Sequence, residues 1–239
     1  MSPIANPIVS PILKPKMTPA LLPDPVGHLL TLLQAPSRRI VLGLVGLPGS
    51  GKSTTATRLA DEVNARAGAG TAVALGMDGF HLTRAALAQF ADPAAALRRR
   101  GSPWTFDAAG LAARLKALRA ISPGADKPPV MWPGFEHGVG DPVEDAVTIA
   151  PSTRLVLLEG LYLLHRADGW NLAGLLDACW YLDVPMDVAM QRLIARHRAT
   201  WSLTQAEAEA RLAVNDRLNA EIVLQSRERA DRLVAGLPP

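Results

Sequence analysis

A glycine-rich segment in the first quarter of the chain has the residue types and spacing needed to bind phosphate. Residues 46–53 read Gly-Leu-Pro-Gly-Ser-Gly-Lys-Ser and fit the pattern G-x-x-x-x-G-K-[ST]. Glycines let the backbone curl, so that its N–H groups and the start of a helix converge on phosphate oxygens. We predict that the nucleotide-binding residues are Gly46, Leu47, Pro48, Gly49, Ser50, Gly51, Lys52, Ser53 and Thr54.

Two side chains of this segment suit a nucleoside triphosphate bound together with Mg²⁺. The ammonium of Lys52 can reach the β- and γ-phosphates, and the hydroxyl of Ser53 can coordinate the metal. The alternative is a glycine turn that only caps a helix, but a predicted strand, loop and helix follow one another here in the order that the motif requires. The loop alone does not separate kinases from GTPases, motors and other ATPases.

Two acidic residues each follow a short apolar run. Asp78 comes after residues 71–77 and Glu159 after residues 155–158. A carboxylate at the position of Asp78 can accept the proton of an attacking hydroxyl or hold a water of Mg²⁺, although it could also cap a helix. Glu159 at the end of a buried strand needs a partner, which is Mg²⁺ or, alternatively, a neighbouring arginine.

Strands and helices that alternate along the chain would bring these residues together. Apolar periodicity predicts helices over 26–33, 54–65, 108–120 and 204–226, and strands over 40–45, 71–77, 155–158, 178–184 and 232–234. Such alternation favours a parallel sheet with helices on both faces and a ligand at the carboxyl ends of the strands. We predict one domain over residues 19–239, with a substrate-binding insertion at about 79–150, and a disordered tail over residues 1–18.

Composition limits the classes of partner. The chain has 25 basic and 22 acidic residues, a net charge of +3, spread along the sequence, so nothing demands nucleic acid. No run approaches the roughly 20 apolar residues that span a bilayer. The one cysteine, Cys179, allows no internal disulfide, which is compatible with a reducing cytoplasm. We expect a cytoplasmic protein without a membrane or nucleic-acid partner; a homodimer is compatible with the sequence, but no surface for it can be identified.

Three further segments carry a resemblance to a known family. They are Met-Asp-Gly-Phe-His-Leu from Met77, Arg-Arg-Gly-Ser-Pro-Trp-Thr-Phe-Asp from Arg99 and Leu-Glu-Gly-Leu-Tyr-Leu-Leu from Leu158. With these segments the chain resembles the phosphoribulokinase/uridine kinase family over about residues 38–234. The later residues Asn215, Asp216, Asn219 and 229–231 are similar to its bacterial uridine-kinase-like and pantothenate-kinase-like branch.

The resemblance implies a fold, a reaction and roles for the acidic residues. The implied fold is that of the P-loop NTPases of the nucleoside/nucleotide kinase type, a three-layer α/β/α arrangement with a mainly parallel sheet. The implied cofactors are ATP and Mg²⁺, with Asp78 as catalytic base and Glu159 as the second acidic residue. We therefore expect an ATP-dependent kinase that transfers the γ-phosphoryl group to a hydroxyl of a small molecule.

Arginines late in the chain are candidates for a lid over the nucleotide. Arg192 and Arg196 are four residues apart and share one helical face. The resemblance implies a lid at about 192–204, in which both would neutralise charge on the transferred group, together with Arg198. The alternative is a solvated amphipathic helix.

The acceptor is left open by the sequence. Within the insertion we expect contacts to it from His81, Arg100, Phe106, Phe135, His137 and Asp141. Nucleosides, pantothenate and sugars all offer a primary hydroxyl. A regulatory GTPase is disfavoured because no Asn-Lys-x-Asp segment occurs, which leaves a P-loop ATPase or a non-catalytic nucleotide-binding regulatory protein as the alternatives to a kinase.

Overall fold

The computed structural model describes residues 18–35, 38–136 and 140–236, and its main feature is a six-stranded parallel sheet. A second sheet contains two antiparallel strands. The strands are β1 (Ala20–Leu21), β2 (Ile40–Gly46), β3 (Ala72–Gly76), β4 (Val130–Phe135), β5 (Pro142–Ile149), β6 (Leu155–Gly160), β7 (Ala178–Asp183) and β8 (Arg232–Ala235). The order across the large sheet is β1-β8-β7-β2-β6-β3.

Helices occupy most of the connections between these strands. The α-helices are α1 (Pro25–Leu32), α2 (Lys52–Ala67), α3 (Arg84–Leu87), α4 (Pro93–Arg98), α5 (Ala108–Arg119), α6 (Met186–Trp201), α7 (Gln205–Arg211) and α8 (Arg217–Leu224). Short 3-10 turns span Asp78–Phe80, Pro103–Thr105 and Arg227–Arg229, and a π-helical turn, Leu212–Asp216, joins α7 to α8. Within the described part of the chain, no helix is both long and apolar enough to cross a membrane.

Strands β2 and β6 form the buried centre of the sheet. Every residue of both strands is buried, which explains why their sequences run through consecutive apolar residues without polar alternation. Their parallel pairing sets Val45 opposite Gly160, so the carboxyl ends of the two strands meet at one edge of the sheet. The predicted α/β class with a mainly parallel sheet is confirmed.

The predicted strands and the first three predicted helices form where the periodicity places them, with ends that differ by a few residues. The predicted helix over 204–226 is different, because the π turn at 212–216 divides it into α7 and α8. A π turn contains one more residue than an α turn, and the apolar period of the segment does not reveal it. The predicted tail falls, except for Thr18, outside the described residues.

The hairpin of β4 and β5 lies inside the predicted insertion. The sequence does not predict it, because prolines and glycines at 127–142 interrupt the strand pattern. Pro133 and Gly134 sit in β4 itself, where the pairing register shifts between Trp132 and Gly134. Such an irregularity lets a strand accommodate a residue that cannot donate a hydrogen bond. Trp132 is fully buried, and its indole N–H donates to the carbonyl of Gly76 at 2.9 Å, which fixes the hairpin to the end of β3.

Arg39, just before β2, is buried with only 5% of its surface exposed. Burial lowers the pKa of its guanidinium, which is satisfied by backbone carbonyls. The guanidinium donates to the carbonyl oxygens of Leu118, Ile121, Ala150, Pro151 and Thr153 at 2.8–3.4 Å. These carbonyls lie at the end of α5 and in the turn before β6, so Arg39 fastens the insertion to the amino edge of the sheet.

Replacing Arg39 should destabilise the protein strongly. The Arg39→Met variant fills similar space but leaves several buried carbonyls without a donor, so the free energy of unfolding should fall by about 3 kcal/mol. Urea unfolding followed by tryptophan fluorescence measures this change. Arg58→Met is the control, because Arg58 is exposed and pairs with Glu62 at 3.5 Å on the surface, so its loss should change the value by less than about 0.5 kcal/mol. An equal loss of unfolding free energy in the two variants would contradict the structural role assigned to Arg39.

Candidate active site

A cavity of about 490 Å³ opens at the carboxyl edge of the large sheet. One wall comes from the loop between β2 and α2, and the floor from the residues that end β3 and β6. The insertion forms the second wall, and the segment from α6 to α8 forms the third. Ligands bind outside the carboxyl ends of strands in open parallel sheets, which makes this cavity the candidate active site.

The phosphate-binding loop depends on two glycines in left-handed backbone conformations. Gly51 has φ of +89° and precedes the first residue of α2, and Gly49 has φ of +77°. A Cβ atom on Gly49 would lie 2.3 Å from the carbonyl oxygen of Ala189, because α6 packs directly on the loop. Lys52 and Ser53 then start α2, where backbone N–H groups point out of the helix toward the cavity.

Lys52, Ser53 and Glu159 form the polar centre of the site. The Ser53 hydroxyl donates to Oε1 of Glu159 at 2.8 Å, and the Lys52 ammonium donates to the carbonyl of Leu47 at 3.1 Å. Burial lowers the pKa of Lys52, while the carboxylates of Glu159 and Asp78 act in the opposite direction. Burial raises the pKa of Glu159, which is only 9% exposed, and the charge of Lys52 opposes that shift.

Asp78 follows β3, the strand that pairs with β6 and therefore with the strand of Glu159. The backbone N–H of Met77 donates to the carbonyl of Glu159 at 2.8 Å, so the residues that follow β3 turn outward at the end of β6. Asp78 begins a 3-10 turn, and its side chain lines the cavity. Nδ1 of His81 lies 2.8 Å from the carbonyl oxygen of Asp78, which ties the conformation of the turn to the imidazole.

Aromatic rings cover the wall next to Asp78. The His81 ring lies 4.0 Å from the Phe106 ring and 4.7 Å from the Phe135 ring, measured between centroids. All three residues line the cavity. The predicted acceptor residues of the insertion are therefore brought together here, although His137 lies outside the described residues.

Arg100 and Asp141 form an ion pair in the same wall. Nη2 of Arg100 donates to Oδ1 of Asp141 at 2.8 Å and to the carbonyl of Leu82 at 2.9 Å, and Nη1 donates to the carbonyl of Gly140. Arg100 lines the cavity, whereas Asp141 stands behind it. Asp141 holds Arg100 in place, and its own contact with the acceptor stays a prediction.

The two predicted lid arginines occupy different places. Arg196 lines the cavity, and its positive charge contributes to lowering the pKa of Lys52. Arg192 lies one turn earlier in α6, where it donates to the carbonyl of Ser50 in the phosphate-binding loop at 3.3 Å and does not line the cavity. Arg198 points elsewhere and donates to Gln205 at 3.3 Å. The lid over 192–204 stays a prediction.

The end of α6 contributes residues that sequence reasoning missed. His197 is 2% exposed, lines the cavity and lies 3.6 Å from Oδ2 of Asp216. Trp201 stands at the mouth with the guanidinium carbon of Arg211 4.3 Å above its ring. Burial raises the pKa of Asp216, and the positive charges of Arg211, Arg196 and Arg99 act against that shift. No short motif marks these residues, because they meet only when α6 and the π turn pack together.

The π turn is tied to the insertion through Arg99. The Arg99 guanidinium donates to the carbonyl of Val214 at 2.9 Å and to the side-chain oxygens of Asn215 at 3.1 Å and Asn219 at 3.2 Å. The amide of Asn215 donates back to the carbonyl of Arg100 at 2.8 Å. Two segments that carry the family resemblance are thus joined, and the asparagines line the cavity between them.

The site fits Mg²⁺ bound together with phosphate. Among the described residues no group of three or more His, Cys, Asp or Glu side chains could hold a metal by itself. Mg²⁺ in phosphoryl-transfer sites takes one or two protein oxygens and completes its shell with phosphates and water. The neighbouring hydroxyl of Ser53 and carboxylate of Glu159 are oxygen ligands of this type.

Comparisons with known proteins agree with this geometry. The sequence profile of the phosphoribulokinase/uridine kinase family matches residues 41–208. An ATP-dependent kinase-like protein of Aspergillus versicolor is 40% identical over 162 residues, which cover 67% of this chain and 94% of that protein. A protein of Schizosaccharomyces pombe named "putative uridine kinase" is 37% identical over 188 residues, covering 78% of each chain.

A solved structure extends the likeness to three dimensions. The crystal structure of a protein from Silicibacter sp. TM1040, named "putative fructose transport system kinase", matches with a TM-score of 0.74 and 32% sequence identity. The match covers 89% of this chain and 98% of that chain. The predicted P-loop kinase fold is therefore confirmed.

Replacing His197 should change the pH dependence of stability. Burial, followed by Arg211 and Arg196, lowers the pKa of His197 from 6.5 to about 4. The unfolded chain then takes up a proton below pH 6.5 that the folded protein takes up only near pH 4, so the free energy of unfolding should fall as the pH decreases through this window. Urea unfolding at several pH values should show a shallower slope for His197→Gln. His165→Gln, which alters a different histidine, should keep the slope; an unchanged slope in His197→Gln would contradict the prediction.

Proposed function

Because the chain belongs to the phosphoribulokinase/uridine kinase family, we propose that it is an ATP- and Mg²⁺-dependent enzyme that transfers the γ-phosphoryl group to a hydroxyl of a small molecule. The observation that carries this proposal is the single cavity that Lys52, Ser53 and Glu159 share with Asp78. A phosphate-binding centre and a carboxylate that can accept a proton therefore face the same enclosed space. A cavity of about 490 Å³ suits a small acceptor beside the terminal phosphate.

In the proposed reaction Asp78 acts as the general base. The acceptor's O–H bond breaks and its proton moves to a carboxylate oxygen of Asp78. A bond forms between the hydroxyl oxygen and the γ-phosphorus, while the bond from that phosphorus to the bridging oxygen breaks and ADP leaves with the electron pair. The hydrogen bond between His81 and the Asp78 carbonyl would keep the carboxylate in position.

Positive charges would stabilise the phosphates and the group in transfer. The backbone N–H groups of the loop and the ammonium of Lys52 bind phosphate oxygens, and Arg196 faces the charge that spreads over the transferred group. Arg192 acts indirectly, through its hydrogen bond to the loop at Ser50. Ser53 and Glu159 would hold Mg²⁺, which when bound offsets charge on the phosphate oxygens.

The proposal predicts release of ADP that depends on an acceptor and on Lys52. Purified protein with Mg·ATP should form ADP faster when one compound from a panel of nucleosides, pantothenate and sugars is present, with the phosphate recovered on that compound. Lys52→Ala should lower this rate about 10²-fold or more, because it removes the main cation of the phosphate site. Lys116→Ala, on the exposed side of α5, is the matched control and should be fully active. ADP release that no compound stimulates would favour an ATPase instead.

Replacing Asp78 should separate transfer from nucleotide binding. Asp78→Asn keeps the size of the side chain but cannot take up the proton, so the rate of transfer should fall about 10²-fold or more while ATP still binds. Single-turnover transfer and calorimetric titration with an unreactive ATP analogue measure the two properties. Asp187→Asn, in the exposed first turn of α6, is the control. Loss of nucleotide binding in Asp78→Asn would assign Asp78 to the metal rather than to the proton.

A further inference from the structure

We propose that the acceptor carries an anionic group, a carboxylate or a phosphate ester, that Arg84 and Arg100 bind in the part of the cavity wall that the insertion forms. This inference rests on the proposed function and names the substrate class of the same site. Both arginines line the cavity together with Asp78. Asp78, His81 and Arg84 follow one another at intervals of three residues, so a single short segment supplies the proposed base, an aromatic wall and a cation.

The first observation is the packing of both guanidinium groups around Gly140. Gly140 has φ of +74°, and a Cβ atom there would lie 2.1 Å from Nη2 of Arg84 and 2.9 Å from its Cζ. The absence of a side chain at this position therefore makes the space that the Arg84 guanidinium occupies. Arg100 donates to the carbonyl oxygen of the same glycine. Two cations are thus brought to one place in the cavity wall.

The second observation is the balance of charge at this place. Oδ1 of Asp141 accepts hydrogen bonds from Nη2 of Arg100 at 2.8 Å and from the backbone N–H of Arg84 at 3.0 Å. Arg100 is therefore paired with a carboxylate. The side chain of Arg84 forms no hydrogen bond and no ion pair within 4.0 Å to any residue of the described ranges 18–35, 38–136 and 140–236. Among the residues that the structure describes, two guanidinium groups thus share this one carboxylate, which leaves one positive charge for a ligand.

The third observation concerns the unused donors. Among the described residues, Nε of Arg100 is buried without a hydrogen-bond partner. Arg84 is exposed, and its guanidinium donors have no protein partner in the described part of the chain, so they are open to a ligand in the cavity. Planar guanidinium groups bind carboxylate and phosphate oxygens through paired hydrogen bonds, which are stronger than those to neutral groups. An anion is therefore the ligand that these donors fit.

The nucleotide is not the source of this anion in the proposed arrangement. Lys52 and the start of α2 lie in the phosphate-loop wall with Arg196, whose charge contributes to lowering the pKa of Lys52. Arg84 and Arg100 belong to the insertion, where the guanidinium carbon of Arg100 lies 5.7 Å from the centre of the Phe135 ring, which packs against the His81 ring. The acceptor would then lie along these rings, with its hydroxyl at Asp78 and its anionic group at the arginines.

Matched pairs of compounds that differ only in charge test the inference. D-Glycerate is paired with glycerol, D-gluconate with D-glucitol, pantothenate with pantothenol, and a hexose phosphate with the free hexose. Binding to the protein with Mg²⁺ and an unreactive ATP analogue is measured by calorimetry, which does not require turnover. We expect at least one anionic member to bind about 10- to 100-fold more tightly than its neutral partner, as expected for charge-assisted hydrogen bonds. Comparison of the three carboxylates with the phosphate ester shows which of the two anionic groups the site prefers.

Variants of Arg84 tie the preference to the site. Arg84→Gln should reduce the ratio of affinities for the anionic and neutral members about tenfold or more, and Arg84→Lys should restore part of it because the charge is retained. Arg98→Gln removes an exposed arginine of α4 that lies outside the cavity and should leave the ratio unchanged. Equal binding of charged and neutral members by the unaltered protein, or a preference unchanged by Arg84→Gln, would overturn the inference.

The outcome also separates this inference from the proposed reaction. Phosphoryl transfer to a neutral compound without preference for its anionic partner would retain the kinase and refute the anionic acceptor. Tight binding of an anionic compound without any transfer from ATP would support the arginine site and count against the kinase.

Discussion

Lys52 and Glu159 carry opposite charges that interact within the cavity, and the rest of the site is arranged around them. Neither ion is stable there alone, because removing a charge from water is unfavourable unless a partner replaces the solvent. The carbonyl of Leu47 and the hydroxyl of Ser53 supply part of that replacement. Phosphate oxygens and a divalent cation would supply the remainder, so the burial that disfavours these two charges by themselves favours the binding of a nucleotide.

The parallel sheet positions the phosphate-binding side of the site, and the insertion forms another wall of the cavity. The sheet brings the ends of β2, β3 and β6 to one edge. Glu159 is the last residue but one of β6, and Lys52 and Asp78 lie in the segments that follow β2 and β3. The insertion is held at both ends of the sheet, by Arg39 at the amino edge and by Trp132 at the end of β3. Arg99 then joins it to the π turn. The cavity wall that the insertion forms is therefore fixed to the large sheet, although that wall consists mainly of short turns and a hairpin.

Local patterns were sufficient to predict the sheet and the phosphate-binding loop, since apolar runs and a glycine motif depend on neighbours in sequence. The same patterns could not reveal the hairpin, because Pro133 and Gly134 interrupt β4. They could not reveal the π turn either, because residues 212–216 contain no proline or glycine that would mark a break in a helix. Spacing alone placed Arg192 and Arg196 on one face, but only the packing of α6 decides that one contacts the loop and the other the cavity. For a similar reason the sequence did not indicate that His197, Trp201 and Arg84 belong to the site: their neighbours are distant in sequence.

The π turn at 212–216 has a consequence for how such a site can change during evolution. One residue separates a π turn from an α turn, so the gain or loss of a single codon would rotate everything after it by about 100° around the helix axis. Asn219 would then leave Arg99, and the joint between the insertion and the last helices would open. Most surface insertions are tolerated within loops, whereas one at this turn would separate the contacts that Asn215 and Asn219 both make with Arg99, so the site depends on the spacing of these asparagines as well as on their identities.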